Sequence, residues 1–218
     1  DKSDKVGRRE ALALLREAAN LPAGTPEARQ ERAEALNTLA EVALQLGEED
    51  QVVQALEESI SIKKSTGDKH GLAISYGSLG RFHLFRRSRT SDDLQKATSA
   101  FAEDLEISRD IGDSSGQVSM LSFLGLCHLE SGDAARALEG FRQSRDAAAS
   151  LGQKRNEAFA MCGMARAMAA TKAPELNSEL GKLREMIATL GEHDRAALKQ
   201  AIEKVREACS VAGVRFEV

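Results

Sequence analysis

Apolar residues along this chain return at helical spacing, and the helical stretches themselves return every 40 to 45 residues. In residues 114 to 152, Leu121, Leu124, Gly125, His128 and Leu129 follow the i, i+3, i+4 rule of one helix face, after which Ser131, Gly132 and Asp133 break the pattern. Ala137, Leu138, Phe141 and Leu151 mark a second helix, and Gly152 ends it with a residue free to take positive φ. The unit is two helices and two short turns. The same pattern lies over residues 28 to 67, through Leu36, Leu39, Ala40, Leu46, Gly47, Val52, Leu56 and Ile60. It lies again over 69 to 112, through Tyr76, Leu79, Gly80, His83, Ala97, Phe101 and Leu105.

Aligned on their ends, the units put Ala40, Gly80, Gly125 and Ala165 in equivalent places, 40, 45 and 40 residues apart. A period of this size marks a stacked helical solenoid, in which each unit buries its apolar face on its neighbours. A fourth unit is degraded: Met161, Met164 and Ala165 carry its first helix, and Pro174 opens its second. Residues 193 to 211 read as a lone amphipathic cap through Ala197, Leu198, Ile202, Val205 and Ala208. Residues 4 to 20, with Leu12, Leu14, Leu15, Ala18 and Ala19, read as the second helix of a preceding unit. The expected organisation is one domain over 1–218: a leading half-repeat 1–27, repeats 28–67, 68–112, 113–152 and 153–191, and a cap with tail at 192–218. Ten helices and no sheet of consequence follow. The half-repeat at the start and the absence of an initial Met are expected of a fragment of a longer protein.

These residues resemble the tetratricopeptide repeat family. Its Leu-Gly-x-x-aromatic and Ala-x-x-x-Phe pattern stands here as Leu79, Gly80, His83, Ala97, Phe101 and again as Leu124, Gly125, His128, Ala137, Phe141. The longer period and the Gly-Asp ends are similar to the long-helix variety of kinesin light chains and bacterial signalling arrays. The resemblance covers about residues 28 to 190. It implies an all-α, right-handed superhelical solenoid of antiparallel helix pairs with a C-terminal capping helix, and small residues wherever paired helices meet closely.

Composition narrows the function. Aromatic residues make up only 4% of the chain, with no Trp and three Pro, which suits helices packed through Ala, Leu and Gly. A net charge of −4 argues against nonspecific binding to nucleic acid. Cys127, Cys162 and Cys209 are an odd set with no CxxC spacing and sit on apolar helical patterns, as reduced, buried thiols do. No long apolar run and no signal peptide is present, so a cytoplasmic location without membrane partners is expected.

Candidate chemistry is sparse. His83 and His128 hold equivalent positions, but two histidines without a third ligand make an incomplete metal site, and packing is the better reading. No HExxH, P-loop, dinucleotide-binding or nucleophile-elbow motif occurs, so no catalytic residue, metal or cofactor is assigned. The extra five residues of the second unit coincide with Arg86, Arg87 and Arg89, read as a solvated turn, a contact for an acidic or phosphorylated partner, or a phosphorylation site for a basic-directed kinase; Thr90 or Ser91 then caps the next helix. In the family the groove is lined by the first helix of each pair. By that resemblance the partner-binding residues are Asn37, Glu41, Arg81, Leu84, Ser122, Leu126 and Arg166, with Asn37 on a peptide backbone and the two arginines on an acidic group. The expected function is a non-catalytic protein interaction module that holds an extended peptide or a partner helix. The alternative is a sensory solenoid of a bacterial signalling protein, binding a small molecule or signalling peptide.

Overall fold

The computed structural model describes residues 2–22 and 24–218, with side chains described from residue 6 onward. The described residues form ten α-helices and no strand. They are α1 (Lys2–Asn20), α2 (Pro26–Leu46), α3 (Glu49–Thr66), α4 (Lys69–Phe85), α5 (Ser91–Asp110), α6 (Ser114–Glu130), α7 (Ala134–Ser150), α8 (Lys154–Thr171), α9 (Leu176–Thr189) and α10 (Glu192–Val211). This is the expected leading helix, four pairs and cap. Packing divides the chain into two compact units, Asp1–Gly112 and Asp113–Val218, and each is described by itself.

Punctuation between helices follows from a few residues. Gly47, Gly67, Gly112, Gly132 and Gly152 all take positive φ, from 66° to 84°, where an L side chain would be strained. The residue after three of these glycines is Asp68, Asp113 or Asp133, whose carboxylates accept from the backbone N–H of Gly71, Gly116 and Arg136. A Gly-Asp pair therefore ends one helix and caps the next. Helix α2 starts on Thr25, whose hydroxyl accepts from the Ala28 N–H, with Pro26 in the first turn. Pro174 lies in the turn before α9, which begins at Leu176, two residues later than the sequence pattern placed it.

In the first unit, α1 packs on α2, α2 on α3, α3 on α4 and α4 on α5. Leu12, Ala19, Leu36, Leu39, Ala40, Val52, Leu56 and Phe82 form one apolar cluster, so α1 is docked through Leu12 and Ala19. Leu14 is exposed instead. Phe101 of α5 is fully buried and lies against Gly80 of α4, where an added Cβ would come 2.5 Å from the ring.

In the second unit, α7 packs between α6 and α8, and α8 also carries α9 and α10. The ring of Phe141 fills the space left by two glycines, Gly125 of α6 and Gly163 of α8. Leu180, Leu183, Ile187, Leu198, Val205 and Cys209 bury the apolar stripes of α9 and α10. Leu151, which the pattern assigned to a helix face, sits in the turn after α7 and is exposed.

One buried polar network breaks the apolar pattern. Lys63 of α3 is 1% exposed and donates to Ser75 Oγ at 3.0 Å, while Ser59 Oγ donates to the Ala33 carbonyl at 2.9 Å. Burial pushes the Lys63 ammonium below its ordinary value of 10.5, against the pull of Asp68 and Glu34. A buried cation with a neutral hydroxyl partner stabilises less than apolar filling. Lys63→Met is therefore expected to raise stability by about 1–3 kcal/mol in urea denaturation at neutral pH. The lowered folded pKa also makes the unfolded chain bind more protons as pH approaches 10.5, so wild-type stability should climb with pH there and the variant should not.

Candidate functional site

The first helices of the pairs are α2 and α4 in the first unit and α6 and α8 in the second. On α4, Ile74, Gly77, Ser78, Arg81 and Phe85 recur at helical spacing and form one stripe. Ile74 and Phe85 at its ends are exposed, and Arg81 stands between them. Arg81 is itself exposed and donates to Ser78 Oγ at 3.0 Å. Its surroundings withhold water from the guanidinium and lower its pKa, while Asp104 and Glu41 act in the opposite sense. Asp104 belongs to α5 and is buried, accepts from Ser108 Oγ at 3.0 Å, and reaches the face through the gap that Gly77 leaves. A Cβ at Gly77 would stand 2.6 Å from Asp104 Oδ2 and 3.5 Å from Arg81 Nη1.

Asn37 of α2 is half-buried and tied to the buried network. Ser75 accepts from the Lys63 ammonium, and its one proton is directed at Asn37 Oδ1, 3.0 Å away, in competition with the Gly71 carbonyl at 3.1 Å. A hydroxyl that donates to Asn37 fixes the amide oxygen inward. The amide nitrogen is then turned away from the network, as a donor. Glu41 is exposed one turn further along α2.

In the second unit, α6 and α8 flank a half-open cavity of about 170 Å³ lined by Val118, Ser119, Ser122, Phe123, Asn156 and Phe159. Phe123 and Phe159 supply its apolar walls and Asn156 a polar edge. Asn156 Nδ2 donates to Gln153 at 2.8 Å, and Gln153 donates to Ser115 at 2.7 Å, so the edge is held by a short polar chain. Further along α8, Arg166 donates to Glu130 at 2.8 Å with both side chains largely covered.

The structure sorts the expected contact residues. Asn37, Glu41, Arg81 and Arg166 reach the surface of their units. Leu84, Ser122 and Leu126 are 1%, 4% and 8% exposed; Leu84 and Leu126 belong to the helix packing, which corrects their placement as surface contacts, and Ser122 keeps only an edge on the cavity between α6 and α8. Ser122 is held at 2.7 Å by Ser144 of α7, which also donates to the Val118 carbonyl. Both arginines already stand beside carboxylates, so an acidic group from a partner would meet Asp104 and Glu41 at one and Glu130 at the other. Sequence reasoning missed Phe123, Asn156 and Phe159; the i, i+3 spacing of the last two on one helix is the signal that marks them.

The basic insertion is mostly spent inside the fold. Arg86 bridges Asp93 at 3.1 Å and Glu49 of α3 at 2.7 Å, and Arg89 donates to the Leu84 carbonyl at 2.8 Å. His83 Nδ1 lies 2.9 Å from Asp93, in the place the sequence reading gave to packing. Burial lowers the pKa of His128, with Asp133 and Arg136 acting in opposite senses. Among the described residues no group of three or more His, Cys, Asp and Glu is arranged to hold a metal ion. The three cysteines are buried, and burial pushes the Cys162 thiol up to about 12.

Repeated helix pairs, Gly-Asp junctions and ring-on-glycine packing define the chain as a tetratricopeptide-like helical repeat array. No protein-family model and no curated protein sequence matches it. Solved structures share the fold at low sequence identity. One is a Signal Transduction ATPase with Numerous Domains from Pyrococcus horikoshii with a tetratricopeptide repeat sensor: TM-score 0.74, 16% identity, 94% of this chain covered. The match spans only 30% of that protein. BtubC (BKLC) of P. vanneervenii matches 97% of this chain and 84% of its own, with TM-score 0.72 and 14% identity. Kinesin light chain TPR-like repeats of Podospora anserina match 83% of this chain and 87% of theirs, with TM-score 0.66 and 19% identity. Among the described residues no helix is long and apolar enough to cross a membrane.

Proposed function

We propose that the chain is a non-catalytic interaction module that binds an extended peptide on the first-helix faces of its units. The observation that carries this reading is the cavity between α6 and α8. At about 170 Å³ it suits a single apolar side chain, well below the roughly 300–1,000 Å³ of small-molecule pockets. An extended segment could place one such side chain between Phe123 and Phe159 and bond its backbone to Asn156. In the first unit, Asn37 and Arg81 offer fixed N–H donors to backbone carbonyls. Carboxylates already beside Arg81 and Arg166 favour carbonyl recognition there over a second acid. The non-catalytic part is supported by the commitment of His83 and the cysteines to the interior. A cytoplasmic site of action is part of the same proposal.

A second reading comes from the Pyrococcus protein, whose repeats are described as a sensor and whose fold this chain shares over 94% of its length. A sensory array would bind a small molecule or signalling peptide. Display selection of random peptides on the full chain tests the first. Selected peptides should share an apolar residue, and Phe159→Glu and Asn156→Ala should each weaken them about tenfold, the worth of a buried contact or a polar bond at an interface. Selections without a common apolar residue, or insensitive to Phe159→Glu, would exclude this site as the peptide groove.

A further inference from the structure

A wide cleft of the second unit lies away from the first-helix faces, between α9 and α10. Its volume is about 800 Å³. Arg184, Ile187 and Ala188 of α9 stand on one stripe at i, i+3, i+4 and form one wall. Glu192, Arg195, Ala196, Lys199 and Ile202 do the same on α10. The extended residues after α10 close the third side, anchored by Phe216, which is 5% exposed with the Arg184 guanidinium 5.1 Å from its ring centroid.

Two properties make this a built surface. First, its arginines are held in place by backbone carbonyls. Arg195 donates to the Leu190 and Ala188 carbonyls at 2.8 and 3.1 Å, at the C-terminal end of α9. Arg184 donates to the Glu217 and Arg215 carbonyls at 3.0 and 3.2 Å, and Arg206 to the Val218 carbonyl at 3.1 Å. A guanidinium has five N–H donors, so each keeps others to spare after these bonds, already oriented. Second, the lining is unbalanced: Arg206 is paired with Glu203, which leaves Arg184, Arg195 and Lys199 facing Glu192 and Glu217, and Glu217 is itself paired with Arg215. Ile187, Ala188, Ala196 and Ile202 supply an apolar surface beneath the charges.

We propose that this cleft is a second binding surface, for a partner protein segment that alternates carboxylates with apolar side chains. Carboxylates complement the cationic rim, and apolar side chains the floor between the helices. The cleft also shows how such a segment would be recognised, because Arg184 already holds the chain's own residues 215 and 217 by alternate carbonyls. Alternate carbonyls on one side are the signature of an extended backbone. Nothing in this proposal depends on the peptide reading of the first-helix faces.

The test uses the full chain and fluorescence anisotropy of labelled peptides that alternate Glu and Leu, with Lys–Leu and Glu–Ser counterparts. The Glu–Leu peptide should bind, the Lys–Leu peptide should not, and the Glu–Ser peptide should bind at least about tenfold more weakly. Lys199→Glu and Ala196→Glu, both at exposed positions that leave the arginine bonds intact, should each weaken the Glu–Leu peptide about tenfold with an unchanged circular dichroism spectrum. Arg81→Ala, in the first unit, should leave that affinity unchanged. Failure of the Glu–Leu peptide to bind, binding indifferent to Lys199→Glu and Ala196→Glu, or equal binding of a single-stranded oligonucleotide would overturn the proposal.

Discussion

Replacing Gly163 by alanine is expected to destabilise the second unit by about 2–3 kcal/mol, the upper part of the range for overpacked cores. A Cβ at Gly163 overlaps the ring of Phe141, and that ring has nowhere to retreat: it is fully buried, with Gly125 on its other side, where an added Cβ would stand 3.0 Å away. A flexible side chain could move aside, whereas an enclosed aromatic ring displaces both helices. Gly181→Ala is the matched control, since it also lies inside a helix but meets nothing within 4 Å. There the loss of backbone freedom in the unfolded chain dominates, and the variant should gain about 0.5–1 kcal/mol. Urea denaturation of both variants reads the difference directly. Equal midpoints would mean that the ring-on-glycine contact does not set the spacing of α6, α7 and α8.

That contact shows why so much of the fold was legible in the sequence. Small residues at Ala40, Gly80, Gly125 and Ala165 and rings at Phe101 and Phe141 repeat at the period of the helix pairs, and a repeat states each packing rule more than once. The candidate site was harder to read. Asn37, Gly77 and Ser122 share one register on successive first helices, yet Asn37 is half-buried and Ser122 is covered. Behind them on the second helices stand Ser59, Asp104 and Ser144, and Ser59 and Ser144 bond the equivalent carbonyls of Ala33 and Val118. What differs is the partner each first-helix side chain finds: Ser144 engages Ser122, Asp104 fills the gap at Gly77, and Asn37 is engaged by Ser75 of the next first helix. Register predicts the face of a helix but not its tertiary partner. The arginine turn was obscure for the same reason, because the carboxylate that engages Arg86 beyond its own turn is Glu49, 37 residues earlier.

Asp93→Ala is expected to cost the first unit about 3–5 kcal/mol, because it strips the partner from the buried His83, the half-buried Arg86 and the Thr90 cap at once. Asp93 is 4% exposed. Its Oδ1 faces His83 at 2.9 Å and Arg86 at 3.1 Å, and its Oδ2 accepts from the Thr90 N–H at 2.9 Å and the Thr90 hydroxyl at 2.8 Å. The same residue closes the capping box of α5, returning its own N–H to Thr90. Burial alone would raise the carboxyl pKa; these hydrogen bonds outweigh it and hold the group well below the usual carboxylate range. A depressed folded pKa means stability that is complete above the unfolded value and is lost as pH falls below it. The gap between wild type and Asp93→Ala should therefore stay constant from neutral pH down to about 4 and narrow below that. Asp92→Ala, one residue away but exposed and paired with Lys96 along the helix, should change stability by less than about 0.5 kcal/mol at any pH. Denaturant midpoints of the three proteins across that range are the measurement, and a pH-independent loss in Asp93→Ala would mean that ionisation of the carboxylate does not contribute to the stability of the fold.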